Sequence, residues 1–168
     1  MPITTRKGDT GRTDLLFGPR VRKDHPRVRA VGALDELNSW LGLIKPRHPK
    51  PAVRRLILEC QEDLMVLSSE VAALPRNRAR LKRRIGPEAL ARIEAHADRL
   101  AAGVNTTRVF VVPGVNELSA SIHVARCVAR RAEREVVACE PKSGATPVGI
   151  YLNRLSDVLY LLARAAEK

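Results

Sequence analysis

The chain is 168 residues long, with 30 lysines and arginines against 18 aspartates and glutamates, a net charge of +12 and a pI near 10.6, a balance that favours polyanionic partners. A hydrophobic share of 45% supports a folded core, while aromatics at only 3% and an apolar stock of Leu, Val and Ala suit a helical bundle better than a sheet sandwich. Three cysteines without a C-x-x-C pair speak against a disulfide framework or a zinc site, and no apolar run reaches the length of a signal peptide or a membrane span, so a soluble, cytoplasmic protein is expected.

Residues 1–27 lack helical periodicity and carry Gly8, Gly11, Gly18, Pro19 and Pro26 among charges, which predicts an irregular segment. Within it, Lys7-Gly8-Asp9-Thr10-Gly11 offers backbone amides that phosphate oxygens can approach, because glycine has no side chain in the way. The spacing is not that of a Walker P-loop, and taken alone the string reads better as a surface turn. Residues 28–44 set Val31, Leu34, Leu37, Leu41 and Ile44 at helical spacing, and Pro46 stops the run. Residues 51–73 repeat the pattern with Val53, Leu56, Cys60, Leu64, Leu67 and Val71 at a near-heptad spacing suited to bundle packing. The stretch 76–84 holds six basic residues in nine and no aromatics on which bases could stack, so a solvated connector is preferred to a nucleic-acid surface.

Gly86-Pro87-Glu88 opens a further helix with Leu90, Ile93, Ala97 and Leu100 on one stripe, and Gly103-Val104-Asn105 closes it. A short apolar run, Phe110-Val111-Val112-Pro113-Gly114, then leads into residues 115–140, which contain no glycine or proline. In a helix there, Arg126, Arg130 and Arg134 align at i, i+4 and i+8. Like charges at that spacing repel, so a carboxylate or a phosphate is expected against them; a solvated basic face with Glu133 as local partner is the bland alternative. Residues 141–147 read as a loop before a last helix with Leu152, Leu155, Leu159 and Leu162. The architecture predicted is an all-α five-helix bundle with no sheet. His25, His48, His96 and His123 are scattered without metal-ligand spacing; His123, three residues before Arg126, can fall near the site, although it reads better as a satisfied structural residue. No nucleophile and base can be assembled, whereas arginines and a glycine loop fit a polyphosphate.

The strings from Thr4 to Thr13, Asp35-Glu36-Leu37-Asn38-Ser39, Arg130-Arg131-Ala132-Glu133-Arg134 and Tyr151-Leu152-Asn153-Arg154-Leu155-Ser156-Asp157, taken in this order, resemble the PduO-type ATP:cob(I)alamin adenosyltransferases over residues 3–164. The resemblance implies a ferritin-like up-and-down bundle forming one domain, residues 1–168, with a nucleotide loop at 1–27 and the bundle at 28–168. It implies a homotrimer with its sites between subunits. The implied reaction is attack by the cobalt of a reduced corrinoid on the 5′ carbon of ATP, giving adenosylcobalamin and tripolyphosphate, with Mg²⁺ held mainly by the ATP phosphates. Thr5, Arg6, Lys7, Gly8, Thr13 and Asp14 are similar to the family's ATP loop, and Lys23 to its phosphate-binding lysine. Arg130, Arg131, Glu133 and Arg134 match the nucleotide-binding string, with Arg130 on the triphosphate, and Asn153 resembles the residue that anchors the sugar. Asp35 and Arg126 are similar to a salt-bridged pair across the subunit boundary, where the corrinoid lies. Phe110 matches the wedge that displaces the cobalt's lower axial base and eases its reduction. A flavin reductase and an adenosylcobalamin-dependent enzyme are the implied protein partners; a membrane is not, and nucleic acid is disfavoured. The chain departs from the family at Pro113-Gly114-Val115, usually Pro-Gly-Gly, which bears on the flexibility of that loop, and at Ala33-Leu34 before Asp35. A non-catalytic carrier of the same fold is the alternative reading, and a basic nucleic-acid binder the third.

Overall fold

Four of the five helices begin on a proline: α1 (Pro26–Ile44), α2 (Pro51–Ala72), α3 (Pro87–Ala101) and α5 (Pro147–Ala165). A helix has no use for the amide of its first residue, and the ring's fixed φ is already helical there. The fourth helix, α4 (Glu117–Cys139), starts instead on Asn116, whose side chain accepts from the Ser119 amide at 2.8 Å. The computed structural model describes residues 4, 6–105, 111–140 and 145–167; Thr5, Phe110 and residues 141–144 of the expected final loop lie outside them.

α4 sits centrally, packed against α1 on one side and α5 on the other, while α2 lies on α1 and α3 on α5. The periodic leucines predicted as core are core: Leu34, Leu37, Leu41, Leu64, Leu67, Ile93, Leu152, Leu155 and Leu159 are all buried in one cluster. On α4 the inward face is small, with Ala125, Ala129 and Ala132 fully buried, so the helix lies close to its neighbours and its long side chains are left for the opposite face. Among the polar groups built into the interior is Asp63 of α2. The buried Asp63 carboxylate accepts two bonds from Arg92, both at 2.7 Å, and one from the Tyr151 hydroxyl at 2.9 Å, so its charge is paired and its lone pairs are satisfied.

The N-terminal segment is not wholly irregular, as expected, but contains a small antiparallel hairpin. β1 (Arg12–Asp14) pairs with β2 (Arg20–Arg22), Thr13 opposite Val21. Strands of three mostly charged residues carry too little alternation to be read from sequence. The hairpin's tip is tied to the end of α2, where the Leu16 amide donates to Ala72 O at 3.1 Å.

The basic run also departs from expectation. Its first half is a 3₁₀ turn (Pro75–Arg80), in which Arg78 is half-buried rather than solvated. The Arg78 guanidinium and that of Arg27 both bond Glu140 Oε1, the Arg27 bond at 3.1 Å, with the Glu140 side chain only 4% exposed. Arg27 further donates to the carbonyls of Val71, Ala73 and Cys139. This buried lock joins the start of α1, the end of α2, the basic turn and the end of α4. Arg84 reaches the buried Glu70 in the same way, at 3.2 Å.

Candidate functional site

The glycine loop and Lys23 meet, although fifteen residues separate them. Lys23 follows β2, and its amide donates to Gly11 O at 2.9 Å, while Arg20 of β2 donates to Lys7 O at 2.6 Å and to Arg12 O at 3.2 Å. The loop closes on itself through Asp9 N to Arg6 O and Gly11 N to Gly8 O. Arg6 and Gly11 both take positive φ, 57° and 71°, and the second is a conformation that glycine adopts without strain. A Cβ on Gly8 would stand 3.1 Å from Lys23 Nζ, so the absent side chain is what lets the ammonium lie over the loop. Thr13 lies within β1, and the exposed Asp14 carboxylate is 3.9 Å from Arg20. The hairpin thus converts a dispersed string, residues 6–23, into one basic cradle of backbone amides and an ammonium, which suits a phosphate chain.

The second half of the site is the outward face of α4. Arg130 and Arg134 lie exposed one turn apart, and Arg134 donates to Arg130 O at 3.0 Å. Among the described residues the Arg130 guanidinium has neither hydrogen bond nor ion pair, so none of them supplies the expected anion. Glu133, predicted as the local partner of the arginines, turns instead to α5, where its Oε1 accepts from Asn153 Nδ2 at 3.3 Å. That contact brings two of the predicted residues together from separate strings. Arg131 points the other way and pairs with Glu36 of α1, a residue that spacing alone did not single out.

Asp35 and Arg126 are not paired with each other within the chain. Asp35 is exposed on α1 and Arg126 half-buried on α4, where its Nε is shut away from solvent with no hydrogen-bond partner among the described residues. Beside them runs a groove of about 600 Å³ between α1 and α4, lined by Glu36, Trp40, Pro113, His123, Cys127 and Arg131. Trp40, the chain's only tryptophan, and Cys127 are the lining residues that sequence reading missed. His123 is not the satisfied structural histidine expected: it is buried, and among the described residues neither ring nitrogen has a hydrogen-bond partner within normal geometry, Glu167 Oε1 standing 3.5 Å from Nε2. Burial holds its pKa below the ordinary imidazole value despite that carboxylate. At the rim Gly114 has φ 109°, which favours glycine, whereas Val115 is not among the residues with positive φ. The departure from Pro-Gly-Gly therefore falls on a residue whose backbone does not require glycine. A comparable groove of about 610 Å³ between α2 and α3, lined by Val53, Leu56, Glu59, His96 and Leu100, contains none of the predicted residues.

A phosphate cradle, an unpaired arginine face and an apolar groove on the same chain agree with what comparison with known proteins finds. The family profile described as cobalamin adenosyltransferase matches residues 3–166. The corrinoid adenosyltransferase PduO of Citrobacter freundii is 42% identical over 168 residues, covering 99% of this chain and 50% of that protein, so the chain spans half the length of this relative. A second corrinoid adenosyltransferase from Citrobacter freundii is 40% identical over 98% of this chain and 94% of its own length. Among solved structures, a variant PduO-type ATP:corrinoid adenosyltransferase from Lactobacillus reuteri, complexed with cobalamin and ATP, superposes with a TM-score of 0.89 at 30% identity, covering 99% of this chain and 93% of that one. With the match running through the hairpin, the arginine helix and the final helix alike, the chain belongs to the cobalamin adenosyltransferase family.

Proposed function

We propose that this chain transfers the 5′-deoxyadenosyl group of ATP to the cobalt of a reduced corrinoid, releasing tripolyphosphate. The observation that carries the reading is the α4 face: an exposed Arg130 without an anion, flanked by Arg134 and by the Glu133 to Asn153 contact from α5. The nucleophile in this chemistry is the substrate's cobalt, so no general base is required of the protein. Its tasks are to bind and align ATP and to neutralise the charge that gathers on the departing triphosphate. Arg130 takes the last task, Asn153 the sugar, and Lys7, Gly8 and Lys23 the phosphates. Mg²⁺ enters with ATP, held mainly by the phosphates.

The hydrogen bonds of the phosphate cradle run to the end of α2, and those of the arginine face to α1 and α5. We read the two halves as completing one another across a subunit boundary in a homotrimer. The buried, partnerless Arg126 Nε and the exposed Asp35 support this, because a pair formed between chains leaves both unpaired in one. The groove between α1 and α4 is then the corrinoid face, and Phe110, which lies outside the described residues, takes the role of axial wedge. The deciding experiment is an anaerobic assay with ATP and chemically reduced cobalamin, following the spectral change as the cobalt–carbon bond forms, alongside sedimentation equilibrium. Absence of that change at saturating ATP refutes the activity, and a monomeric mass refutes the shared site.

A further inference from the structure

The basic turn of residues 75–80 has no part in the chemistry just described, yet its side chains converge on one residue of the hairpin tip. Phe17 has φ 55°, a left-handed conformation that a bulky residue adopts only when its surroundings hold it. Two groups hold it from the turn. Asn77 Nδ2 donates to Phe17 O at 2.8 Å, and the Arg80 guanidinium lies 4.2 Å from the centre of the Phe17 ring. The turn is itself immobilised, because Arg78 donates to Glu70 O at 3.1 Å and is locked onto buried Glu140. On the far side of the tip, β1 and β2 lead directly to the loop in which Lys23 lies over Gly8.

We propose that Asn77 and Arg80 are positioning residues for nucleotide binding: by clamping Phe17 they fix the hairpin, and through it the cradle of Lys7, Gly8 and Lys23. The proposal rests on the nucleotide reading of that cradle. The mechanism is preorganisation. A two-stranded hairpin is marginal by itself, so without the clamp ATP must order the cradle as it binds, and affinity falls by that ordering cost. Neither residue touches the α4 arginines, so the rate of the bound complex is left alone.

The test uses Asn77→Ala, Arg80→Ala and Phe17→Leu, with calorimetric titration of ATP and anaerobic initial rates. Each variant is expected to raise Kd and KM for ATP by roughly tenfold, with kcat and the corrinoid KM within about twofold. Arg80→Ala added to Phe17→Leu should weaken ATP no further than either alone, since both remove the same contact. Arg80→Lys should recover much of the affinity, because a cation remains over the ring. As control, Lys82→Gln with Arg83→Gln leaves ATP affinity unchanged. Unaltered ATP affinity in Asn77→Ala and Arg80→Ala overturns the clamp, as does an equal loss in the control, which would mean that the run acts by charge alone. If the wild type binds ATP without forming a cobalt–carbon bond, the proposed activity fails while the titrations still decide the clamp. If it binds no ATP, both fall.

Discussion

Arg130 is exposed with no anion beside it among the described residues, and under the proposed chemistry the missing anion is the departing triphosphate, whose charge peaks in the transition state. Arg130→Ala should therefore lower kcat by more than it raises KM for ATP, on the order of a hundredfold for loss of one preorganised donor set. Arg130→Lys should restore little, because the planar fork that grips two oxygens is gone. Near-normal turnover in the alanine variant rules this role out. Gly8 gives the complementary case. Its substitution by Ala puts a methyl group 3.1 Å from Lys23 Nζ, the end of a flexible side chain, so the fold should survive with an unchanged melting temperature. The ammonium is displaced, and KM for ATP should rise by roughly three- to tenfold with kcat retained. A fall in kcat alone would place Lys23 on the leaving group instead of on ground-state binding. Individual residues were legible unequally. Arg130 and Asn153 could be picked out from their strings. Trp40 and Cys127 could not, because their placement at the groove depends on how α1 packs against α4, which spacing along one helix does not encode.

Helices announced themselves through periodicity and proline, so all five were legible, whereas the elements joining them were not. The hairpin and the 3₁₀ turn are short and charged, and their order comes from partners far along the chain. The lock on Glu140 is the clearest instance: nothing in RNRARLKRR distinguishes Arg78, which is half-buried, from Arg76, which is exposed. Because Glu140 answers the buried guanidinium of Arg27 and the half-buried one of Arg78, Glu140→Gln should destabilise the protein by about 3 kcal/mol, the usual penalty for stranding buried charge. Urea unfolding measures this as a lower midpoint at unchanged slope. A loss below about 1 kcal/mol would mean that Arg27 and Arg78 swing out to water.

At the scale of the whole molecule, charge governs how stability follows pH. His48 and His123 are both buried, and burial is the first cause holding each pKa below the ordinary imidazole value; neighbouring Lys50 adds to the effect at His48. A histidine whose folded pKa is depressed takes up its proton more readily when unfolded. Stability is therefore full above the ordinary value and is lost as pH falls below it. The melting temperature should accordingly drop between about pH 6.5 and 5, and the double variant His48→Asn with His123→Asn should flatten that slope. An unchanged slope would assign the acid sensitivity to carboxylates.

The buried lock also bears on the order in which the molecule comes together. Arg27 reaches Val71 across 44 residues and Glu140 across 113, and Arg78 reaches Glu140 across 62. Helices form from neighbours in sequence within microseconds, but contacts of such separation are made only after long stretches of chain have closed. The hairpin leans on an element that cannot settle before α1, α2 and α4 have docked. These separations predict that a newly synthesised chain orders residues 6–23 last, and that a protein halted short of the end of α4 holds helices without the lock on Glu140.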